Sequence, residues 1–172
     1  MDVFIELIKV LLPSVIVFVT AFYILKIFLQ NEKDKKLIDV KSASAKDLIM
    51  LKLQAYERVM LLLERIAPEN LIVRINKAGM NVEQLHVQLI SNLRAEFDHN
   101  VAQQLYVSNE AWDKILKAKS EIVKIINLSK EKVESKNNSL DLVKVILLNN
   151  QKISVFLYDA KTHLKKEAQQ LF

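Results

Sequence analysis

The chain has 172 residues, 51% of them hydrophobic and 26% charged, with one glycine, two prolines, no cysteine and a formal charge of +5. So few turn formers exclude a β-rich fold, which needs many tight turns; the absence of cysteine excludes disulfides and thiolate metal sites and agrees with a reducing compartment. Once an N-terminal segment is set aside, the length suffices for one domain. The expected fold is all-α: an N-terminal transmembrane helix (1–30), a charged juxtamembrane stalk or linker (31–47), and a compact bundle of about four to five helices (48–172).

Val10 to Leu25 contains no charged residue, and after Lys26 the run continues through Ile27, Phe28 and Leu29. About twenty helical residues cross a hydrocarbon core of about 30 Å, so Val10 to Leu29 is read as membrane-spanning. The long stem of Lys26 lets its ammonium reach the headgroups, and Phe22 and Tyr23 sit where interfacial aromatics occur. Pro13 falls in the first turns, where a mild kink is expected rather than a break. Two other readings fit less well. A core helix in a domain this small would keep a polar side for water, and this run has none. A signal peptide cleaved near Val19, Thr20 and Ala21 would not begin with Asp2 and Glu6 against Lys9, nor continue apolar past that point. Lys9 alone precedes the span, whereas Lys26, Lys33, Lys35, Lys36 and Lys41 follow it, which predicts a short N-terminus outside and a cytoplasmic C-terminal domain at the inner membrane.

Asn31 to Lys46 is charged, with Leu37, Ile38 and Val40 as its apolar points and no helix breaker. The anchor helix either continues through it or breaks near Ser42 to Ser44; Ser44 with Asp47 resembles a capping box and favours a restart. Leu48 to Ile66 is strongly amphipathic, with one row at Ile49, Leu53, Tyr56, Met60, Leu63 and Ala67 and a second at Leu48, Ala55, Val59, Leu62 and Ile66. Its polar face repeats Glu57 and Arg58 as Glu64 and Arg65. Solvated ion pairs are the default reading; docking of an acidic partner is the functional one. Pro68 ends this helix, and Glu69 to Ile75 is expected as a short helix or an extended connector.

Lys77 to Gly79 closes that connector. Asn81 caps the next helix with Gln84 in the third position and a Met80 to Leu85 staple; the stripe runs through Leu85, Leu89, Leu93, Phe97, Val101 and Leu105, widened by Ile90 and Ala102. Ser108 caps another helix, with Glu110 and Asp113 in its first turn and Trp112, Ile115, Leu116, Ile122, Val123, Ile126 and Val133 on its apolar side. Lys130 to Asn138 is the best loop candidate. Ser139 then caps a short helix, Leu140 to Leu148; Asn149 to Gln151 separates it from a last helix, Ser154 to Phe172, with Val155, Phe156, Tyr158, Leu164, Ala168 and Leu171 inward. Residues 112–172 carry the whole charge excess, twelve lysines against seven acids. A solvated face explains them best, contact with anionic lipid is a minor role, and without a nucleic-acid motif or interleaved aromatics no nucleic acid partner is expected.

Two Glu-x-x-His units, Glu83 with His86 and Glu96 with His99, have the spacing of a carboxylate-bridged metal site. Both lie on one expected helix, about 20 Å apart, so they cannot share an ion within one chain, and no metal or other cofactor is expected. Arg94 to Asn100 is dense in polar groups: either a binding face, or an outer face in which Arg94 pairs with Asp98 and His99 bonds locally. One glycine rules out a Gly-rich phosphate loop, and no triad or nucleophile elbow is recognisable, so an enzyme is not expected.

Leu53-Gln54-Ala55-Tyr56-Glu57-Arg58 with Leu63-Glu64-Arg65-Ile66-Ala67-Pro68, Arg94 to Asn100 with Gln103 to Ser108 and Trp112, and the terminal Gln170-Leu171-Phe172 resemble an uncharacterised bacterial family of small single-span membrane proteins with a C-terminal helical domain. The resemblance covers most of the chain; it implies an anchor followed by a helical domain and supplies no catalytic residues. The expected function is a membrane-tethered interaction or scaffold module that binds a protein partner or a second copy, with Glu57, Arg58, Glu64, Arg65, Arg94, Glu96 and His99 as its candidate face. The alternatives are a metal-dependent carboxylate enzyme and a lysine-rich domain binding anionic lipid.

Overall fold

The computed structural model describes residues 2–134 and 138–171, with side-chain surroundings from residue 15 onward. Six α-helices account for almost all of it: α1 (Asp2–Ile66), α2 (Pro68–Ile75), α3 (Val82–Asn100), α4 (Asn109–Glu131), α5 (Ser139–Leu148) and α6 (Asn150–Gln169). A 3-10 helix, Val101–Leu105, joins α3 to α4. No strand occurs among the described residues. The chain divides into two units, Met1–Leu48 and Ile49–Phe172. Of the expected loop, Ser135 to Asn137 lie outside the described residues, as does Phe172.

α1 is unbroken through Ser42 to Ser44, so the restart expected from Ser44 and Asp47 does not occur. The segment contains neither glycine nor proline, and a run of Ser and Ala costs a helix too little to end it. The helix also passes through Pro13. It stops at Ile66 because Pro68 disfavours the α region for Ala67, whose ψ is 131°. Pro68 then starts α2 in the position where its missing N–H costs nothing. The segment Leu71 to Ile75 is thus helical, with Leu71, Ile72 and Ile75 buried.

The core of the second unit gathers Val59, Leu62, Leu63 and Ile66 of α1 with buried side chains from every later helix. The amphipathic stripe begins lower than expected, at Ala55, and Leu48 is exposed. α4 is the central element, packing on α3, α5 and α6 and burying Trp112, Ile115, Ile122 and Ile126 while Leu116 stays exposed. Phe97 meets Trp112 with ring centroids 5.4 Å apart. Gly79, at φ +84°, makes the turn into α3 in the region that glycine alone enters without strain, and the Asn81–Gln84 capping box forms with both bonds present.

Three local expectations are corrected. The stripe of α3 ends at Asn100: its side-chain amide donates to the Glu96 carbonyl at 2.8 Å, and Val101 N–H turns to the Asp98 carbonyl. This change to three-residue bonding rotates the chain, so Val101 and Leu105 face outward, the latter 78% exposed. Asn138, not Ser139, caps α5, accepting from Leu140 N–H at 3.0 Å. Ser139 is buried and donates to Asn76 Oδ1 at 2.8 Å, tying α5 to the end of α2. α6 begins at Asn150 after a single turn residue, Asn149, and turns Ile153, Leu157, Ala160 and Leu164 inward; Val155 and Tyr158, expected inside, are 64% and 73% exposed.

Candidate interaction face

The candidate face lies on α1, α2 and α3, whose core sides are fixed by the packing above. On α1, Arg58 and Arg65 are seven residues apart, about 10.5 Å along one side of the helix. Arg65 is engaged: its Nε and a terminal nitrogen approach Glu96 Oε1 of α3 at 3.0 and 2.7 Å. Arg74 of α2 reaches the same oxygen at 3.2 Å. One carboxylate, only 17% exposed, therefore sits between guanidinium groups from two other helices, and the centre carries a net positive charge. Nothing in the sequence pairs Arg74 with Glu96; the contact depends on how α2 folds back after Pro68.

The other proposed members separate into two groups. Glu64 turns to α6, where Lys161 Nζ lies 2.7 Å away. Glu57, Arg58, Arg94 and His99 are exposed, and none of them enters an ion pair among the described residues; the expected Arg94–Asp98 pair does not form, and the acid of that stretch that is engaged is Glu96. All four arginines of the chain, Arg58, Arg65, Arg74 and Arg94, lie on these three helices. Arginine suits such a surface: its planar fork matches carboxylate or phosphate in two-point contact.

A second polar cluster ties α1, α4 and α6 together around Glu167. Tyr56 Oη donates to Glu167 Oε2 at 3.0 Å, the Ser108 hydroxyl donates to Oε1, and His163 Nε2 lies 2.9 Å from Oε1. His163 Nδ1 faces Glu110 at 3.6 Å. Serine, histidine and glutamate meet here, but serine and histidine both address the same carboxylate. The Ser108 oxygen also accepts Ala111 N–H as the cap of α4. The Ser108 hydroxyl is thus held from both sides, donating to Glu167 of α6 and capping α4, and the arrangement fastens helices. Burial, then the hydrogen bond to Glu167 and its charge, push the Tyr56 phenol up to about 12. Burial alone would raise the Glu167 carboxyl; the bonds from Ser108 and Tyr56 and the nearby His163 outweigh it and hold the carboxyl below its ordinary value.

Three of the four side chains of the two Glu-x-x-His units are spent on other contacts. Glu83 accepts from Lys130 Nζ at 2.7 Å, His86 Nε2 lies 2.8 Å from Asn127 Oδ1, Glu96 holds the arginines, and His99 is exposed.

α1 also carries the segment long and apolar enough to cross a membrane, and none of that window is buried. From Val15 to Leu29 the large apolar side chains are exposed on every side of the helix. Its hydroxyl at Thr20 is satisfied within the helix, donating to the Ile16 and Val17 carbonyls at 2.6 and 3.0 Å.

Neither a curated protein nor a solved structure matches the chain. A family model does, over residues 2–171, nearly the whole length, and the chain belongs to that family, a family of unknown function (DUF7935).

Proposed function

We propose that the protein is a membrane-tethered helical interaction module. The apolar segment Val10 to Leu29 anchors it in the cytoplasmic membrane with the short N-terminus outside, and the arginine face on α1, α2 and α3 receives an acidic protein surface on the cytoplasmic side. The observation that carries this reading is the excess of cation at Glu96. Two arginines already address that carboxylate, and Arg58 of α1 and Arg94 of α3 are exposed and enter no ion pair among the described residues. A tether raises the effective concentration of such a face toward anything else held at the membrane without adding a contact.

The test is reversal of the two free charges, Arg58→Glu with Arg94→Glu, in the full-length chain. Arg65 is a poorer target, since reversing it breaks an internal ion pair. The variant is expected to keep its helical content and to lose a salt-sensitive partner, or self-association, that the parent retains in neutral detergent. Unchanged association would remove this face from the proposal. Orientation is tested separately, with Lys165→Cys, an exposed position in a chain without other cysteines. Labelling by an impermeant maleimide only after permeabilisation is expected; labelling of intact cells would invert the topology.

A further inference from the structure

Helix α5 is ten residues long and apolar on both of its sides. Leu142 and Ile146 enter the core. Leu140, Lys144, Leu147 and Leu148 follow one another at helical spacing, which groups them on the side away from the core. The three leucines are 51%, 43% and 82% exposed, and the Lys144 side chain is 73% exposed. Single exposed leucines are ordinary on a protein surface. Three along one side of so short a helix are not, because a surface helix carries polar residues opposite its core stripe.

The end of this helix is surrounded by cations. Asn149, which follows Leu148, borders a hollow shared with Leu128, Lys124, Lys132 and Lys152, and Leu128 is exposed as well. Glu121 pairs with Lys124 at 3.7 Å and Asp141 with Lys144 at 3.4 Å. Lys132 and Lys152 enter no ion pair among the described residues. Solvation accounts for the lysines taken alone; it does not account for leucines set among them. A folded protein partner would have to supply a groove matched to three projecting leucines. A lipid surface needs no such match: acyl chains receive the leucines, and ammonium groups on long stems reach the headgroups. Every cation from residue 112 onward is a lysine, without the planar fork that suits arginine to two-point contact with a protein carboxylate. The charge therefore complements an anionic bilayer, and the apolar side chains give it depth.

We infer that the outer side of α5 docks on an anionic lipid surface, with Leu140, Leu147 and Leu148 entering the headgroup layer and the neighbouring lysines meeting lipid phosphates. The inference rests on the membrane-tethered reading and is independent of the arginine face. Leu148→Cys, in a chain without other cysteines, would carry an environment-sensitive dye, and the labelled full-length chain would be reconstituted in vesicles of phosphatidylcholine and in vesicles of phosphatidylglycerol. A blue-shifted emission in phosphatidylglycerol alone is expected, quenched by brominated acyl chains, reversed by high salt, and absent when the dye sits at Ser91→Cys, an exposed position of α3. Lys144→Glu with Lys152→Glu is expected to lower the docked-to-free ratio about tenfold or more with unchanged helical content. Emission from Leu148→Cys that is the same in both vesicle types, or that Ser91→Cys shares, overturns the inference. A blue shift that arises in neutral detergent and grows with protein concentration assigns the leucines to a second copy and overturns it too. Flotation with the vesicles reads the anchor separately: a chain that floats without the dye response keeps its tether and loses this inference, whereas a chain that does not float loses both.

Discussion

Tyr56→Phe removes one oxygen from the point where α1 enters the core and leaves the ring in place. The lost bond is to an ionised carboxylate at 3.0 Å in a partly buried setting, a class that contributes about 1.5–3 kcal/mol. Glu167 keeps its donors from Ser108 and His163, so the carboxylate is not orphaned, and a loss of about 1–2 kcal/mol is expected, near the lower end of that range. For a domain of this size it corresponds to a fall in Tm of about 3–8 °C near neutral pH. The pH dependence gives an independent check. The phenol is raised in the folded chain from 10.0 to about 12, so the folded state holds that proton more tightly. The associated stability is whole below pH 10 and drains away as the pH climbs toward 12. Thermal melts followed by circular dichroism, on the full-length chain in neutral detergent, should therefore show a gap between parent and variant that narrows at alkaline pH. Equal Tm values near neutral pH, or a gap that stays constant as the phenol ionises, would refute the assignment of Tyr56 to Glu167.

Glu167→Gln should act at the other end of the scale. The carboxyl is held below its ordinary 4.5, so the stability it contributes is present above that value and is lost as the pH falls through the depressed one; the variant should melt lower at neutral pH and show a flatter acid limb. Leu89→Ala, at a fully buried site of α3, should cost about 2–5 kcal/mol, read as a drop in the denaturant midpoint with little change in slope. Asn81→Ala removes the side-chain half of a complete capping box and should cost about 1 kcal/mol; no change in midpoint would mean that the α3 start is held by packing alone.

Most of the helical order was legible because the signals were local. Asn81 with Gln84, Ser108 before Ala111, and Pro68 after Ala67 each act within four residues, and each does in the structure what its spacing implies. The misses arise where a side chain takes a partner that periodicity does not register, near or far in the chain. The Asn100 amide takes the Glu96 carbonyl one turn back and the following residues rotate, and a periodicity count has no term for that bond. Ser139 was a plausible cap until Asn76, 63 residues away, claimed its hydroxyl. In α6 the phase failed because both sides of the helix carry large side chains that can pack, Val155 and Tyr158 on one and Ile153 and Leu157 on the other, and the seat against α4 distinguishes them. The polar face was half legible for the same reason. Arg58 and Arg65 stand out as a heptad repeat, whereas the role of Glu96 depends on Arg74 arriving from α2.

The proposed anchor admits a quantitative test because its apolar residues can be counted. Fourteen Leu, Ile, Val and Phe residues lie from Val10 to Leu29. At about 0.3–0.6 kcal/mol each near the bilayer centre, they favour insertion by at most about 4–8 kcal/mol, and by less toward the ends. One arginine at the centre opposes this by about 2.5–3.5 kcal/mol and leaves insertion favourable; two bring the balance close to zero or beyond it. Val19→Arg should therefore remain resistant to alkaline extraction, and Val19→Arg with Phe22→Arg should be released or degraded. A control carrying Leu37→Arg with Ile38→Arg, outside the span, should behave like the parent. The threshold between one charge and two discriminates the explanations. A protein partner covering one side of α1 would be displaced by a single arginine on that side and indifferent to one on the other. A bilayer would surround the helix, whose residues Val15 to Leu29 are exposed all round, and would respond to how many charges enter and not to which face carries them. Release by a single substitution on one face alone would assign the apolar surface to a protein and end the membrane reading.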